Sequence, residues 1–507
     1  MYTPILHQEK KTALYIALYQ AIRLDILRKQ LRAGERLPSK RQLASGLGIS
    51  VNTVDNAYQQ LVSEGYLEVR AQSGHYVKPL GEHALLPDIA VPSPDREKPL
   101  ILEQANDDTP SGRIDFSPIG TDLTQFPTNI VKKALRKELD TEKEQAFRSC
   151  PPAGSYRLRN ALCRYLANSR GLHCRPEQIL IGAGTDYVLQ LFIQILRLLH
   201  RDPETARDTS GPVLAMEDPV YSKAYRIFSG LSVPVHFVPL YRVGIDIDIL
   251  RQSPANLVYT TPSHQFPLGL IMPADRRLQL LAWANEKDNR FIIEDDDDSE
   301  YRYLGKPIPP IGSLDSNGRV IYLGTFSKAL SPSIRVSYLI LPEKLLRLYE
   351  QHLSYYSNTV THLEQLMLAN LLETGEFERQ INRSRTLCRK KRDLLLQALS
   401  PYSRHLHIRG TDAGTHLLCT VRNKMTEEEL ITAARKAGVT VYGISDYYID
   451  TSVHLLPYQM IPDATVLLGY AGLSESELYP GAARLAQAWK IERKKNALTC
   501  QSTQDVL

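Results

Sequence analysis

The chain has 507 residues, of which 43% are hydrophobic and 23% charged, a composition typical of a globular protein of roughly two to four domains. Its six cysteines include no Cys-x-x-Cys pair, and no apolar run approaches 18 residues, which argues against a zinc ribbon, a disulfide scaffold and a membrane span. The net charge of +5 is concentrated in residues 1–80, which hold 11 Lys and Arg against 6 Asp and Glu and are therefore expected to meet a polyanion.

The first 80 residues predict three helices followed by a hairpin. The first helix covers TALYIALYQAIRLDILRKQL, where apolar residues recur at helical spacing, and Gly34 and Pro38 follow its end. Ser39 caps a second helix, and Ser50 caps a third that closes at Gly65. The alternating stretch LEVRAQSGHYVKP then predicts a two-stranded wing. This order is typical of a winged helix-turn-helix, whose third helix enters the major groove, although the pattern alone also fits an interaction domain.

The stretch LPSKRQLASGLGISVNTVDNAYQQLVSEGYL resembles the DNA-binding domain of GntR-type bacterial regulators, and the resemblance covers roughly residues 12–78. It implies DNA contacts in the turn, the third helix and the wing, with Arg36 and Tyr58 on phosphates. The implied set is Arg36, Arg41, Ser50, Asn52, Thr53, Tyr58, Gly74 and His75. Val51 and Asp55 stand where family members often carry basic residues. Because Asp55 would repel phosphates, we expect an unusual operator or a modest affinity.

The rest of the chain predicts a linker, an α/β body and a tail. Residues 79–111 are rich in proline and acidic residues without a sustained period, which predicts a semi-extended linker. Residues 112–490 alternate helical segments with short apolar strands, so we expect a mostly parallel sheet with helices on both faces. Residues 491–507 form a polar tail to which we assign no function. With residues 1–78 as the winged helix-turn-helix, the chain is predicted to be multidomain.

Polar and glycine residues follow the predicted strands of the body, where ligands of such sheets bind. A glycine turn at 182–184 opens a helix, four aspartates occupy 295–298, and Lys328 lies between two apolar runs. Burial among apolar neighbours is expected to lower the pKa of the Lys328 amine, which would make it a nucleophile for aldehydes. Alternatively, Lys328 is an exposed loop lysine, and the four aspartates are a solvated loop or a metal site.

These strand ends, in this order, resemble a fold-type-I pyridoxal-phosphate (PLP) enzyme of the aminotransferase kind, with a large and a small domain. Together with the GntR-type head, the chain resembles the MocR subfamily of transcriptional regulators over residues 12–490, GabR-like members above all. TPSHQFPLGLIMPADRRLQLLAWA and GTFSKALSPSIRVSYLILP carry this likeness. It implies that Lys328 holds PLP as a Schiff base. The other implied cofactor contacts are Asp295 on the pyridine nitrogen, Arg335, Gly184, Thr185 and Ser327 on the phosphate, Tyr221 on the ring face, and His264 and Gln265 near the ring hydroxyl.

Four positions depart from the patterns of these families. Phe266 replaces an asparagine that contacts the ring hydroxyl, and Asp297 replaces a tyrosine that contacts the ring oxygen. Ser149 replaces a tyrosine that reaches the partner subunit's cofactor. Asp446 replaces an arginine for a substrate carboxylate, so a ligand with a second amine is a further hypothesis. Cofactor-binding positions are thus kept while turnover positions are altered, which favours a sensor over an enzyme.

The sequence therefore predicts a PLP-dependent, DNA-binding transcriptional regulator. An amino compound would form an external Schiff base, displace Lys328 and alter DNA binding or transcription. We expect a homodimer on a double-stranded DNA operator. Scattered cysteines and a start without a signal-peptide pattern predict a bacterial cytoplasmic protein, at the nucleoid when DNA-bound, with no metal or membrane partner. The alternatives are an active aminotransferase with a DNA-binding head, and a DNA-binding protein whose body has lost PLP and only dimerises.

Overall fold

The computed structural model describes residues 14–70, 73–79, 112–141, 143–200, 211–240, 244–303, 308–450 and 464–493. The chain divides into an N-terminal unit, Met1–Asp107, and a C-terminal unit, Asp108–Leu507. The boundary falls within the predicted linker 79–111, but residues 80–111 of that linker and residues 494–507 of the tail lie outside the described residues. Among the described residues, no helix combines the length and the apolar character needed to cross a membrane.

The N-terminal unit is a winged helix-turn-helix, as predicted. It contains α1 (Leu14–Leu27), α2 (Lys40–Leu47), α3 (Val51–Ser63), β1 (Leu67–Arg70) and β2 (Gly74–Val77). Ser39 caps α2 in a reciprocal pair with Gln42, and Gly48 ends α2 in the left-handed conformation with φ +65°. Ser50 caps α3 through the Thr53 amide. The two strands pair antiparallel from Leu67↔Val77 to Arg70↔Gly74.

Apolar side chains of α1 and α3 form the core of this unit. Leu18, Ile22, Val54 and Leu61 are fully buried there, together with Tyr58. Burying a side chain of this size contributes about 1.5–3 kcal/mol each. This shared core fixes α3 against α1 and leaves the opposite face of α3 exposed.

The C-terminal unit alternates helices and strands, as predicted. Its first part contains β3 (Ile114–Asp115), α4 (Thr128–Thr141), α5 (Lys143–Ala146), α6 (Tyr156–Arg170), β4 (Ile179–Gly182), α7 (Gly184–Leu199), β5 (Leu214–Asp218), α8 (Ser222–Gly230), β6 (Val235–Pro239), α9 (Ile247–Gln252), β7 (Leu257–Thr260), α10 (Ala274–Asn285), β8 (Phe291–Asp295), β9 (Val320–Thr325), β10 (Ser337–Ile340), α11 (Glu343–His352) and α12 (His362–Glu373). Its second part contains α13 (Glu376–Leu399), β11 (Leu406–Arg409), β12 (His416–Val421), α14 (Glu427–Lys436), β13 (Val439–Thr440), β14 (Tyr442–Gly443), β15 (Thr465–Gly469) and α15 (Glu475–Ala488).

The large lobe is built on a seven-stranded sheet of order β4-β10-β9-β8-β7-β5-β6. All neighbours pair parallel except β10, which is antiparallel to both β4 and β9. The strands are buried on both faces because helices cover each side. Phe291 and Ile293 of β8 pack with α7, α8 and α11, whereas Ile292 between them packs with α9 and α10. Strand alternation thus divides one apolar run between two cores.

The small lobe packs helices against a four-stranded sheet of order β11-β12-β15-β14. Its core joins Leu395 of α13 and Leu430 of α14 to Leu417 and Leu468 of the sheet. Trp489 is fully buried in this core and donates its indole N–H to the Leu430 carbonyl at 3.1 Å. The fold class predicted for the body, with a large and a small part, is confirmed.

Candidate functional site

A cleft of about 200 Å³, partly open to solvent, lies where β7, β8 and β9 end and α7 begins. Parallel strands present their carboxyl ends at one edge of the sheet, so residues distant in sequence meet there. Seven of the nine predicted cofactor residues line it: Thr185, Tyr221, His264, Asp295, Ser327, Lys328 and Arg335. Gly184 lies directly behind Arg335, and Gln265 does not line the cleft.

The first two of the four aspartates after β8 have separate buried partners. Asp295 lines the cleft and accepts a hydrogen bond from the Tyr259 hydroxyl. Burial, together with the nearby Asp297 charge, raises the pKa of Asp295 to about 8. None of the ion pairs found among the described residues includes Asp295. Asp296 instead pairs with Arg170 at 2.7 Å and accepts the Tyr322 hydroxyl at 2.6 Å. Of these two aspartates, Asp296 has a paired cation and Asp295 has none among the ion pairs of the described residues.

The other two aspartates surround the lysine. Lys328 Nζ lies 2.8 Å from an oxygen of Asp297 and 3.9 Å from Asp298, whose carboxylate also contacts His264 Nδ1 at 2.9 Å. The neighbouring His264 and Lys328 hold the pKa of Asp298 far below its usual range despite burial. No group of three or more His, Cys, Asp or Glu side chains that could hold a metal ion is found in the described part of the chain.

The structure corrects the expectation of a lowered lysine pKa. Burial alone lowers the pKa of Lys328, but the charges of Asp297 and Asp298 outweigh burial and raise it above the usual range of lysine. The expectation considered the apolar runs on either side of Lys328 in sequence. It missed the carboxylates that the end of β8 brings alongside. In this arrangement the amine carries a charge at neutral pH.

A cationic cradle lies at the N-terminus of α7. An added Cβ on Gly184, whose φ is +83°, would lie 2.4 Å from Arg335 Nη2, so only glycine lets the guanidinium approach this backbone. Asp186, in the first turn of α7, pairs with Lys223 at 2.8 Å and with Arg335 at 3.3 Å. The helix N-terminus and two cations together suit an anion. Lys223 and Asp186 were missed from the sequence, although Asp186 follows the predicted glycine turn directly.

The Ser327 hydroxyl lines the cleft but already has an acceptor. It donates to the Ile334 carbonyl at 2.8 Å, while the Ser327 amide donates to Thr325 Oγ1 at 3.2 Å. A hydroxyl has a single donor proton. Ser327 would therefore have to release Ile334 before donating to a phosphate.

Aromatic rings form one side of the cleft. Tyr221 packs edge-to-face against Phe266 with ring centroids 5.7 Å apart, and Phe266 packs in the same way against Tyr447 at 5.1 Å. Asp446, next to Tyr447, is exposed and does not line the cleft. The hypothesis that Asp446 selects a ligand with a second amine therefore has no support from this geometry. Ser149 is likewise exposed and outside the cleft lining.

Gln265 is a structural residue rather than a cleft residue. Its side-chain amide donates to the carbonyls of Pro219 at 2.7 Å and Phe266 at 2.9 Å. Its side-chain oxygen accepts the Leu268 amide at 3.1 Å. Because backbone groups occupy both ends of the amide, the predicted contact of Gln265 with a ring hydroxyl does not fit the structure.

His264 connects the cleft to the small lobe. Its ring lies against Gly414, where an added Cβ would be 2.1 Å from the imidazole, and 5.8 Å from the ring centroid of His416. His264 Nε2 is buried without a hydrogen-bond partner. Burial lowers the pKa of His416 to about 4. Neither His416 nor Gly414 was predicted, because they come from the small lobe, far along the chain.

The N-terminal unit presents most of its predicted DNA residues on its surface. Arg41 and Asn52 are exposed at the start of α2 and α3, and the Arg36 guanidinium lies against Gly74 of the wing. The hydroxyl oxygens of Ser50 and Thr53 are hydrogen-bonded to each other at 2.8 Å. His75, also in the wing, packs its ring on Tyr58 with centroids 4.9 Å apart.

Two expectations about α3 are corrected. Tyr58 is fully buried and donates its hydroxyl to the Pro38 carbonyl at 2.9 Å, so it cannot reach a phosphate. Asp55 forms an ion pair with Lys40 of α2, so its charge is offset within the unit. The expected repulsion of phosphates assumed an unpaired carboxylate.

The comparisons with known proteins agree with both units. The family model "Bacterial regulatory proteins, gntR family" matches residues 14–77, and the model "Aminotransferase class I and II" matches residues 121–457. YdeL of Bacillus subtilis, an uncharacterized HTH-type transcriptional regulator, is 39% identical over 491 residues, covering 96% of this chain and 99% of its own. The probable rhizopine catabolism regulatory protein MocR of Rhizobium meliloti is 30% identical over 501 residues, 97% of each chain. The crystal structure of the multiple substrate aminotransferase from Thermococcus profundus covers 75% of this chain and 92% of its own, with 26% identity and a TM-score of 0.63.

Proposed function

Since the chain belongs to the MocR-type family of transcriptional regulators, a GntR winged helix-turn-helix joined to an aminotransferase class I and II domain, we propose that its cleft binds PLP and senses an amino compound. The observation that carries the proposal is that Lys328, Asp295 and the Arg335 cradle face one cleft. YdeL and MocR, which match this chain over 99% and 97% of their own lengths, are named as transcriptional regulators, and this supports a sensor rather than the alternative of a working aminotransferase.

The residues present fit PLP. The buried Asp295 carboxyl, which lacks a cation, suits a protonated ring nitrogen. The Arg335 guanidinium held against Gly184 suits the phosphate, with the Thr185 amide at the start of α7 beside it. Lys328 is the only lysine besides Lys223 that lines the cleft in the described part of the chain. We assign Lys328 as the attachment point because the resemblance of the stretch around it to fold-type-I PLP enzymes implies that role. Lys223 belongs instead to the cradle, where it pairs with Asp186.

When bound, PLP supplies an aldehyde carbon that exchanges one amine for another. Lys328 would provide the first amine, and Asp297, 2.8 Å from Lys328 Nζ, would accept or return its proton. Asp295 would hold charge at the ring nitrogen, and the Tyr259 hydroxyl, which donates to that carboxyl, orients it. Tyr221 and Phe266 form the apolar side of the cleft and exclude water there.

We further propose that the protein is a homodimer on double-stranded operator DNA in the bacterial cytoplasm, at the nucleoid when DNA-bound. Large apolar side chains that stay exposed on the C-terminal unit, Phe147 at 72% and Tyr355 at 74%, fit a surface covered by a second copy. We assign DNA contacts to Arg36, Arg41 and the start of α3. The two N-terminal units of a dimer would then match paired half-sites.

The test is the visible absorption spectrum of the purified full-length protein with PLP, titrated with amines and amino acids. We expect a Schiff-base band in the wild type that Lys328→Ala lacks. Arg226→Ala, which changes an ordinary basic residue of α8 outside the cleft lining, is the matched control and keeps the band. An amine that converts the band reversibly supports the sensor.

Other outcomes would decide against parts of the proposal. Accumulation of the amine form of the cofactor with release of a keto acid would show a working aminotransferase. A wild type without a band at any PLP concentration would leave a DNA-binding protein whose body only dimerises. A band that persists in Lys328→Ala would place the attachment elsewhere.

A further inference from the structure

Two cysteines outside the cleft lining lie with their sulfur atoms in contact. Cys163 is on α6, Cys174 follows the end of that helix, and their Sγ atoms are 3.5 Å apart. Gly171, with φ +65°, ends α6 in the left-handed conformation, and this reversal brings Cys174 back beside the helix. A disulfide bond requires the sulfurs to approach to about 2.05 Å, a further movement of about 1.5 Å.

The backbone on both sides of this thiol pair is held by contacts that do not involve sulfur. Arg159 of α6 donates to the Pro176 carbonyl at 2.7 Å, which fixes the segment after Cys174 to the helix. The Leu172 amide donates to the Leu166 carbonyl at 3.2 Å. These contacts hold the backbone beside both cysteines, so the two sulfurs would have to approach through movement of their side chains.

The thiol pair differs chemically from the other described cysteines. Burial raises the pKa of Cys388 to about 11 and that of Cys419 to about 12, and it also raises the pKa of Cys150. By contrast, the hydrogen bond from Cys174 lowers the pKa of Cys163, while the same bond raises that of Cys174. Both thiols are only partly buried. Because the thiolate is the reactive form, Cys163 is the sulfur expected to react first.

We propose that Cys163 and Cys174 are a redox modification site, which forms a reversible disulfide when the protein meets hydrogen peroxide. The Cys163 thiolate attacks one peroxide oxygen, the O–O bond breaks, a sulfenic acid forms, and the other oxygen leaves as water after protonation. The Cys174 sulfur then attacks the Cys163 sulfur, the S–O bond breaks, and the hydroxyl leaves as a second water. The two thiols lose two electrons and two protons, and one hydrogen peroxide becomes two waters.

The disulfide would act on the residues beneath the cleft. Arg170 lies between the two cysteines in sequence, and its guanidinium is buried against Asp296 at 2.7 Å and the Ser263 hydroxyl at 3.1 Å. Asp296 directly follows Asp295. The closed loop would therefore restrain the chain on both sides of the arginine that supports the acidic run.

The test is peptide mapping of the reduced full-length protein after treatment with hydrogen peroxide, alkylation of free thiols and trypsin digestion without reductant. Trypsin cuts after Arg159, Arg164 and Arg170 but not before Pro176, so Cys163 falls in peptide 160–164 and Cys174 in peptide 171–197. We expect these two peptides to be disulfide-linked. We also expect the denatured protein to lose two of its six thiols, and dithiothreitol to restore them.

Single substitutions separate this pair from general thiol oxidation. Cys163→Ser and Cys174→Ser should each abolish the link, whereas Cys150→Ser, which changes another partly buried cysteine, should keep it. The linked wild type should also melt at a higher temperature than the reduced protein, a rise absent in Cys174→Ser. The proposal is overturned if peroxide converts Cys163 to a sulfinic acid without the link, if the linked peptides come from two chains, or if both thiols stay unmodified.

Discussion

At the scale of single residues, Asp297 decides the charge of the amine in the cleft. Its carboxylate lies 2.8 Å from Lys328 Nζ, and its charge is the largest of those that raise the lysine pKa. The amine must be neutral to attack an aldehyde. Replacing Asp297 by Asn removes the charge and keeps the size of the side chain. We expect Asp297→Asn to capture PLP about 10-fold faster at neutral pH, since a close opposite charge shifts a pKa by about 1–3 units and each unit changes the neutral fraction tenfold.

The measurement is the rate at which the visible band grows after PLP is mixed with cofactor-free protein, over a range of pH. Asp446→Asn, the same change at an exposed aspartate outside the cleft, serves as the control and should leave the rate unchanged. An equal rate in wild type and Asp297→Asn would mean that the ion pair does not limit capture.

Because the folded-state pKa of Lys328 is raised, stabilisation by the ion pair is present at neutral pH and is lost only as pH rises through that pKa.

At the scale of elements, the contact between the start of α7 and Arg335, two residues before β10, forms the cradle. Gly184 opens α7 with φ +83°, and an added Cβ would meet the Arg335 guanidinium at 2.4 Å. We expect Gly184→Ala to displace Arg335 and weaken PLP binding about 10-fold or more, because a hydrogen bond to a charged group contributes about 1.5–3 kcal/mol. Titration of PLP into the cofactor-free protein, followed by absorbance, measures the effect.

The matched control for the cradle is Gly230→Ala at the end of α8. Gly230 has no heavy atom within 4 Å of an added Cβ, and its φ lies outside the left-handed region. PLP affinity should be unchanged in this variant. If Gly184→Ala bound PLP as tightly as the wild type, the cradle would not be the phosphate site.

Elements that rest on local signals could be predicted from the sequence, and contacts between distant elements could not. Ser39, Gly48 and Ser50 set the ends of α2 and α3 through neighbours within four residues, so the winged helix-turn-helix was predictable. The strands of the body were predictable as apolar runs, and their order along the chain placed Asp295 and Lys328 at one sheet edge.

The errors concern side chains with at least one partner on another element. Tyr58 faces the core because α3 packs on α1, and Gln265 turns away from the cleft toward the Pro219 carbonyl. The Lys328 ammonium is held by Asp297, which follows a neighbouring strand. Nothing in the local sequence of Tyr58, Gln265 or Lys328 reports these partners, because they depend on how elements pack.

At the scale of the whole molecule, a GntR-type unit and an aminotransferase-like unit share one chain, and we expect amine binding and DNA binding to be linked. If an amine that exchanges with Lys328 changes operator affinity by some factor, the operator must change the affinity for that amine by the same factor. Couplings of this kind usually amount to about 5–150-fold. We expect the factor measured from each side to agree, and both effects to vanish in Lys328→Ala.

The amine is titrated into the PLP-loaded protein with and without saturating operator DNA, and the visible band gives the amine affinity in each case. The change in amine affinity is then compared with the change in operator affinity at saturating amine. A duplex of equal length with scrambled sequence is the control, because non-specific binding rests on phosphate contacts alone. Arg41→Ala should weaken operator binding while leaving the amine affinity of the DNA-free protein unchanged, since Arg41 is an exposed residue of the N-terminal unit. The two units bind independently if an amine converts the band without altering operator affinity and saturating operator does not change the affinity for that amine. The cleft would then bind its ligand without regulating DNA.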